Sequence, residues 1–289
     1  MLVEVTLKRW ADIHRLVSNM PGYVFRGQAN AQWTMATSLE RCLSRYQPAV
    51  NIPENKEHWT LHEFKSKSHL YSSHRPDEYD NVEWLAVMQH YGCPTRLLDF
   101  SYSAYVAAYF AVVESDSDAA ILALDEWALR ANLRSQLALK YSPNNALRDE
   151  INVAHLLAAN RFIGEKKHLP KVSALIPLVP KRLTDRIARQ QGLFVMPTNA
   201  SAPFMANLAA AYGHMDGAEL AFTPTALKDF MGVVNPDSED RPHVFKLVVP
   251  RSAQRDALES LAQMNITAET MFGGLDGLAR SLLQTVIRS

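Results

Sequence analysis

The chain has 289 residues, 47% of them hydrophobic, and thirty lysines and arginines balance thirty aspartates and glutamates. That is ample material for a core, and a net charge of zero excludes an overall field drawing the molecule to nucleic acid or an anionic membrane, so any electrostatic function is local. Two cysteines, Cys42 and Cys93, exclude a disulfide framework and a four-thiolate zinc site, and no apolar run approaches the roughly 20 residues that span a bilayer. Nothing near Met1 reads as a signal peptide, so the expectation is a soluble cytoplasmic protein with no membrane partner.

In "TLKRWADIHRLVSN", Leu7, Trp10, Ile13 and Val17 recur at helical spacing, which predicts a helix capped by Thr6. Pro21 and Gly22 end it, and a short strand follows over Tyr23 to Arg26. "TLHEFKSKSHLYSSH" predicts a second, amphipathic helix. "RPDEYD" breaks that pattern, and Asp80 with Glu83 offers a capping box to "NVEWLAVMQHY", which stops at Gly92. "AYVAAYFAVV" is apolar all round, as a helix enclosed on every side must be, with Ser103 placed to cap it. "AAILAL", "GLFVM" and "HVFKLVVP" read as strands, with helices near 125–139, 145–159, 252–263 and 276–287. Strands and helices do not alternate regularly, so the predicted fold class is α+β: a single domain over residues 1–289, with a small, mostly antiparallel sheet enclosed by helices. "NASAPFMANLAAAYGHMDG" and "NPDSEDRP" read as loops.

Three places could carry chemistry. Arg26 ends the first strand directly before Gly27, where a guanidinium could clamp phosphate or carboxylate and a glycine could admit a ligand to the backbone; an internal salt bridge with Asp99 is the other reading. The segment "MQHYGCPTRLLDFSYS" gathers His90, Arg96, Asp99, Ser101 and Ser103 at the start of the apolar helix, where free N–H groups and the helix dipole favour an anion. The plain alternative makes Ser103 a cap, pairs Asp99 with Arg96 and buries His90 in the core. In "RIARQQGLFVMP", Gln190 and Gln191 offer amides at a strand edge, for a base, a ribose or the neighbouring backbone.

Other arrangements are weaker. Between Arg161 and Arg189 eight basic residues, Lys166, Lys167 and Lys171 among them, meet only Glu165 and Asp185, which suits a solvated surface facing the acidic segment Asp216 to Asp240 or a phosphate contact. A Cys followed by Pro in a tight turn packs more readily than it attacks, so Cys93 near His90 is not read as a nucleophile. No H-E-x-x-H pair, phosphate-binding G-x-x-x-x-G-K-[ST] loop or G-x-S-x-G elbow occurs, and no metal site is expected.

Through "FRGQANAQWTMATSLER", "AVMQHYGCPTRLLDFSYSAYVAAYFA", "RIARQQGLFV" and "ETMFGGLDGLAR" the chain resembles the FRG domain family over about residues 20–285. Membership implies links to bacterial or phage defence and toxin systems. More distantly, "VFRG" and "DFSYSAYVAAYFA" are similar to the first two elements of ADP-ribosyltransferases of the Arg–Ser–Glu type. That similarity implies a split-sheet fold with NAD as ligand or substrate, held by Arg26, Gly27, His90, Arg96, Asp99, Ser101 and Ser103, and a protein or nucleic-acid acceptor. The catalytic glutamate of that pattern is replaced where "ARQQGLFVMP" supplies Gln191, which leaves Glu269 as the candidate substitute. Two functions follow as expectations: an NAD-binding transferase or glycohydrolase, or a non-catalytic nucleotide or nucleic-acid sensor on the same fold.

Overall fold

The computed structural model of the chain describes residues 2–46, 53–73, 75–139, 148–164, 172–182, 184–213, 223–226, 229 and 242–288. Its short aliphatic runs pair edge to edge. β1 (Leu2–Thr6), β2 (Tyr23–Gln28), β3 (Leu98–Ser101), β4 (Ala119–Asp125), β5 (Leu175–Leu178), β6 (Gly192–Pro197), β7 (Thr223–Pro224) and β8 (Val244–Val249) form an eight-stranded sheet in the order β5-β6-β3-β2-β4-β8-β1-β7. Five of its pairings are antiparallel, and β1 runs parallel to β8 and β7. The α+β class and the mostly antiparallel sheet are as expected. The sheet is larger than expected and not split, because β3 bridges its halves through the pairs Phe25 with Ser101 and Ser101 with Gly192.

Twelve α-helices accompany the sheet among the described residues: α1 (Asp12–Val17), α2 (Ser38–Tyr46), α3 (Pro53–Ser68), α4 (Asn81–His90), α5 (Ala104–Val112), α6 (Glu126–Gln136), α7 (Arg148–Gly164), α8 (Asp185–Arg189), α9 (Phe204–Ala211), α10 (Gln254–Gln263), α11 (Ala268–Phe272) and α12 (Gly274–Arg288). None is long and apolar enough to cross a membrane. Local signals placed several of them. Asp80 accepts from the Glu83 N–H at the start of α4, and Ser103 accepts from the Val106 N–H at the start of α5. Each cap meets a donor that the helix itself leaves without a partner.

Three expectations need correction. The first helix does not begin at Thr6, which closes β1; the buried alternation Val3, Val5 and Leu7 is a strand signal, and the helix starts at Asp12. The second helix starts earlier, at Pro53, and ends at Ser68. "NASAPFMANLAAAYGHMDG" contains α9, whose Phe204 and Leu208 are fully buried, so its small residues serve close packing as well as turns. "NPDSEDRP" lies outside the described residues apart from Pro242.

Strand alternation divides the core. On β2, Tyr23 and Phe25 face a layer shared with α1, α5 and α10, whereas Val24 faces a layer shared with Leu98 and Phe100 of β3 and Phe204 of α9. α5 lies directly on β2. A Cβ built on Gly27 would stand 2.0 Å from the Ala107 carbonyl oxygen and 2.5 Å from the Ala111 nitrogen, so the glycine is what lets helix backbone touch strand backbone.

Farther along the sheet, His155 of α7 is fully buried with Nδ1 2.7 Å from the Pro177 carbonyl oxygen. Burial pushes its pKa from 6.5 down to about 4 despite that hydrogen bond. Between these values the unfolded chain holds the extra proton, so stability rises with pH across the window and is lost on acidification. The expected loss from this group between pH 6.5 and 4 is about 3 kcal/mol, read as the difference between urea melts of the native chain and of His155→Gln at the two pH values.

Candidate functional site

Most of the polar groups singled out around α5 are consumed by the fold. Arg96 is 2% exposed, and its partner is Glu57 of α3 rather than Asp99. Its Nε donates to Glu57 Oε2 at 2.7 Å, Nη2 pairs with the same oxygen, its backbone N–H donates to Glu57 Oε1 at 3.3 Å, and Nη1 reaches the Thr198 carbonyl at 3.3 Å. Ser101 Oγ donates to the Gln190 carbonyl at 2.7 Å and accepts from the Ser103 N–H at 3.0 Å, which pins β3 to the turn between α8 and β6. Asp99 is exposed, and its carboxylate is held by Gln89 at 2.9 Å. His90 is exposed at the end of α4, edge-on to Tyr91, and is not a core histidine. It lines a separate groove of about 720 Å³ with Phe64, Tyr71 and Trp84.

Arg26 stands apart from the serines. Phe25 pairs with Ser101, so these two share one face of the sheet, and Arg26 projects from the other. Its Nη1 donates to the Asp99 carbonyl at 2.8 Å, so neither an ion pair with the Asp99 carboxylate nor a shared cleft with Ser101 is formed; its Nε is buried with no partner among the described residues. Burial lowers its pKa, with Asp99 opposing and Arg41 reinforcing that shift. Gly27 lies against the backbone of α5, and its missing Cβ is what that contact requires. Glu269 is exposed on α11, and the Gln190 amide donates to the Met271 carbonyl of that helix at 3.1 Å. Burial raises the Cys93 thiol pKa, which disfavours the thiolate a nucleophile needs. Of the basic stretch, Lys166, Lys167 and Lys171 lie outside the described residues, as does most of the acidic segment Asp216 to Asp240; Arg186 lies over the Phe272 ring at 5.1 Å.

What remains is a cavity of about 700 Å³ where β2, α5, α6 and the turn before β6 meet. Ser103, Ala104 and Tyr105 form one wall and Gln191 adjoins it. Gln191 is held at φ +48°, its N–H on the Ala188 carbonyl and its own carbonyl accepting from the Tyr102 N–H, while among the described residues its amide side chain has no hydrogen-bond partner. The N–H groups of Ala104 and Tyr105, in the first turn of α5, have no helical acceptor and carry the positive end of its dipole. Tyr105 also holds His14 Nδ1 at 2.8 Å through its hydroxyl, whose pKa is raised by burial.

The opposite wall was not foreseen. Glu126 opens α6 behind the cap Asp125, is 6% exposed, and its Oε1 accepts both the Tyr102 hydroxyl at 3.1 Å and Arg130 Nη2 at 2.7 Å. Trp127, 54% exposed, packs against Gly22, which at φ +76° has no room for a Cβ: one built there would stand 2.5 Å from the indole. Tyr23 and Tyr102 complete an aromatic lining. The Glu126–Arg130 spacing of four was legible within "DEWALR"; the burial of the pair was not, because Tyr102 and Gly22 are remote in sequence. Among the described residues no group of three or more His, Cys, Asp or Glu could hold a metal ion.

Comparison with known proteins gives one family, the FRG domain, matched over residues 21–120, from the turn before β2 to the start of β4. No curated protein and no solved structure matches the chain.

Proposed function

Since residues 21–120 are an FRG domain, and the cavity draws its β2 and α5 walls from that stretch, we propose that the protein binds a nucleotide at the N-terminus of α5. The observation that carries this reading is the pairing, in one cavity, of uncommitted donors with an aromatic and acidic wall. Phosphate suits the first turn of α5, where the dipole, two free N–H groups and the Gln191 amide supply positive potential. A sugar and base suit Tyr102, Trp127 and Glu126, and about 700 Å³ falls within the range of small-molecule sites.

NAD is the first ligand to test, and the reading favours binding without turnover. Cleavage of the nicotinamide–ribose bond passes through a cationic transition state that a carboxylate stabilises, and Glu269 does not line this cavity. One observation favours the enzymatic extension, with transfer to a protein or nucleic acid in a defence setting: Glu126 is a buried carboxylate in the same cavity. Titration calorimetry with NAD is expected to show saturable binding, weakened about tenfold by Gln191→Ala with little change in melting temperature, since that amide bonds to none of the described residues. Labelled NAD is expected to release no nicotinamide. Absence of saturable binding, or a Gln191→Ala affinity equal to that of the native chain, removes this reading, and rapid nicotinamide release replaces it with the enzymatic one.

A further inference from the structure

Both hydrogen bonds that Glu126 accepts fall on one oxygen. Tyr102 and Arg130 engage Oε1, and among the described residues Oε2 has no partner. Glu126 lines the cavity, and with Oε1 taken by Tyr102 and Arg130 its Oε2 is the oxygen left to meet what the cavity holds. A carboxylate this deeply enclosed needs its remaining lone pairs met, by water or by a ligand donor. Arg130 already balances the charge, so a cation would gain little here. Neutral hydroxyls gain most, because an ionised acceptor strengthens each bond they donate and one carboxylate oxygen can accept two. Two adjacent hydroxyls on a ring beside aromatic walls describe a ribose.

We infer that Glu126 reads the ribose hydroxyls of the ligand, so that the cavity selects ribonucleotides against their deoxy forms. This rests on the nucleotide reading above and adds to it the group that sets sugar specificity. Tyr102 is then a positioning residue: its hydroxyl and Arg130 fix the carboxylate so that Oε2 points inward without the ligand's help. The Trp127 indole, packed against Gly22, lines the same cavity as Glu126.

The test compares AMP, 2′-deoxy-AMP and 2′,3′-dideoxy-AMP by titration calorimetry on the native chain. AMP is expected to bind at least tenfold more tightly than the dideoxy analogue, with the 2′-deoxy form between them. Glu126→Gln keeps an acceptor for Tyr102 but loses the charge, and is expected to lower AMP affinity to within about threefold of the dideoxy value. The ligand series on the native chain decides the matter even where that variant fails to fold. Equal affinity for AMP and 2′,3′-dideoxy-AMP overturns the role of Glu126 and leaves the nucleotide site standing, as does discrimination that survives in folded Glu126→Gln. No saturable binding of any of the three overturns both.

Discussion

Arg96→Ala is expected to lower the unfolding free energy by about 3–5 kcal/mol, measured by urea denaturation at pH 7, because it strands Glu57 as an unpaired charge at 2% exposure. The pair joins α3 to the loop before β3, and Arg96 Nη1 extends the link to the end of β6 at Thr198. Replacing both partners, as Arg96→Met with Glu57→Leu, is expected to recover most of the loss, since two apolar groups of similar volume carry no desolvation penalty. A double variant as unstable as the single one would show that the loss comes from the bond that Arg96 Nη1 donates to the Thr198 carbonyl, and from the packing of its side chain, rather than from the stranded charge.

Gly27→Ala is expected to be comparably damaging, at about 3 kcal/mol or more, because the new methyl would overlap two backbone atoms of α5 that cannot rotate away. Relief requires lifting α5 off β2 and opening the layer that holds Phe25, Ala107 and Ala111. Gly92→Ala provides the contrast. That residue has φ +83° but nothing within 4 Å of the methyl group an alanine would add, so only the left-handed backbone is penalised, by about 1 kcal/mol. Thermal melts of the two variants separate them: close approach governs the first, and backbone conformation alone governs the second.

These outcomes bear on why so many polar groups crowd the start of an apolar helix. Arg96 ties loop to helix, Asp99 binds Gln89, Ser101 holds the turn before β6, and Ser103 caps α5. Each therefore has a structural task, while the donors at the cavity that these tasks leave over among the described residues are the backbone N–H groups behind Ser103 and the Gln191 amide. The crowding itself was legible in "PTRLLDFSYS". Its division between scaffold and site was not, since that depends on Glu57 and Gln190, which approach only in the folded chain.

The sequence by itself determined what acts over a few residues. The caps Asp80 and Ser103 reach donors three positions on, and the unbroken apolar run of α5 requires enclosure on every side, so both could be read without coordinates. Tertiary structure decided what depends on register and parity. Whether Arg26 meets Ser101 turns on β2 pairing with β3 at Phe25 and Ser101, an odd offset that sends the arginine to the opposite face of the sheet. Glu126 becomes a cavity carboxylate only because Tyr102, 24 residues away, folds back against it. Interactions along one helix turn are written in the spacing of residues, whereas contacts across a sheet are fixed by which strands pair and in what register.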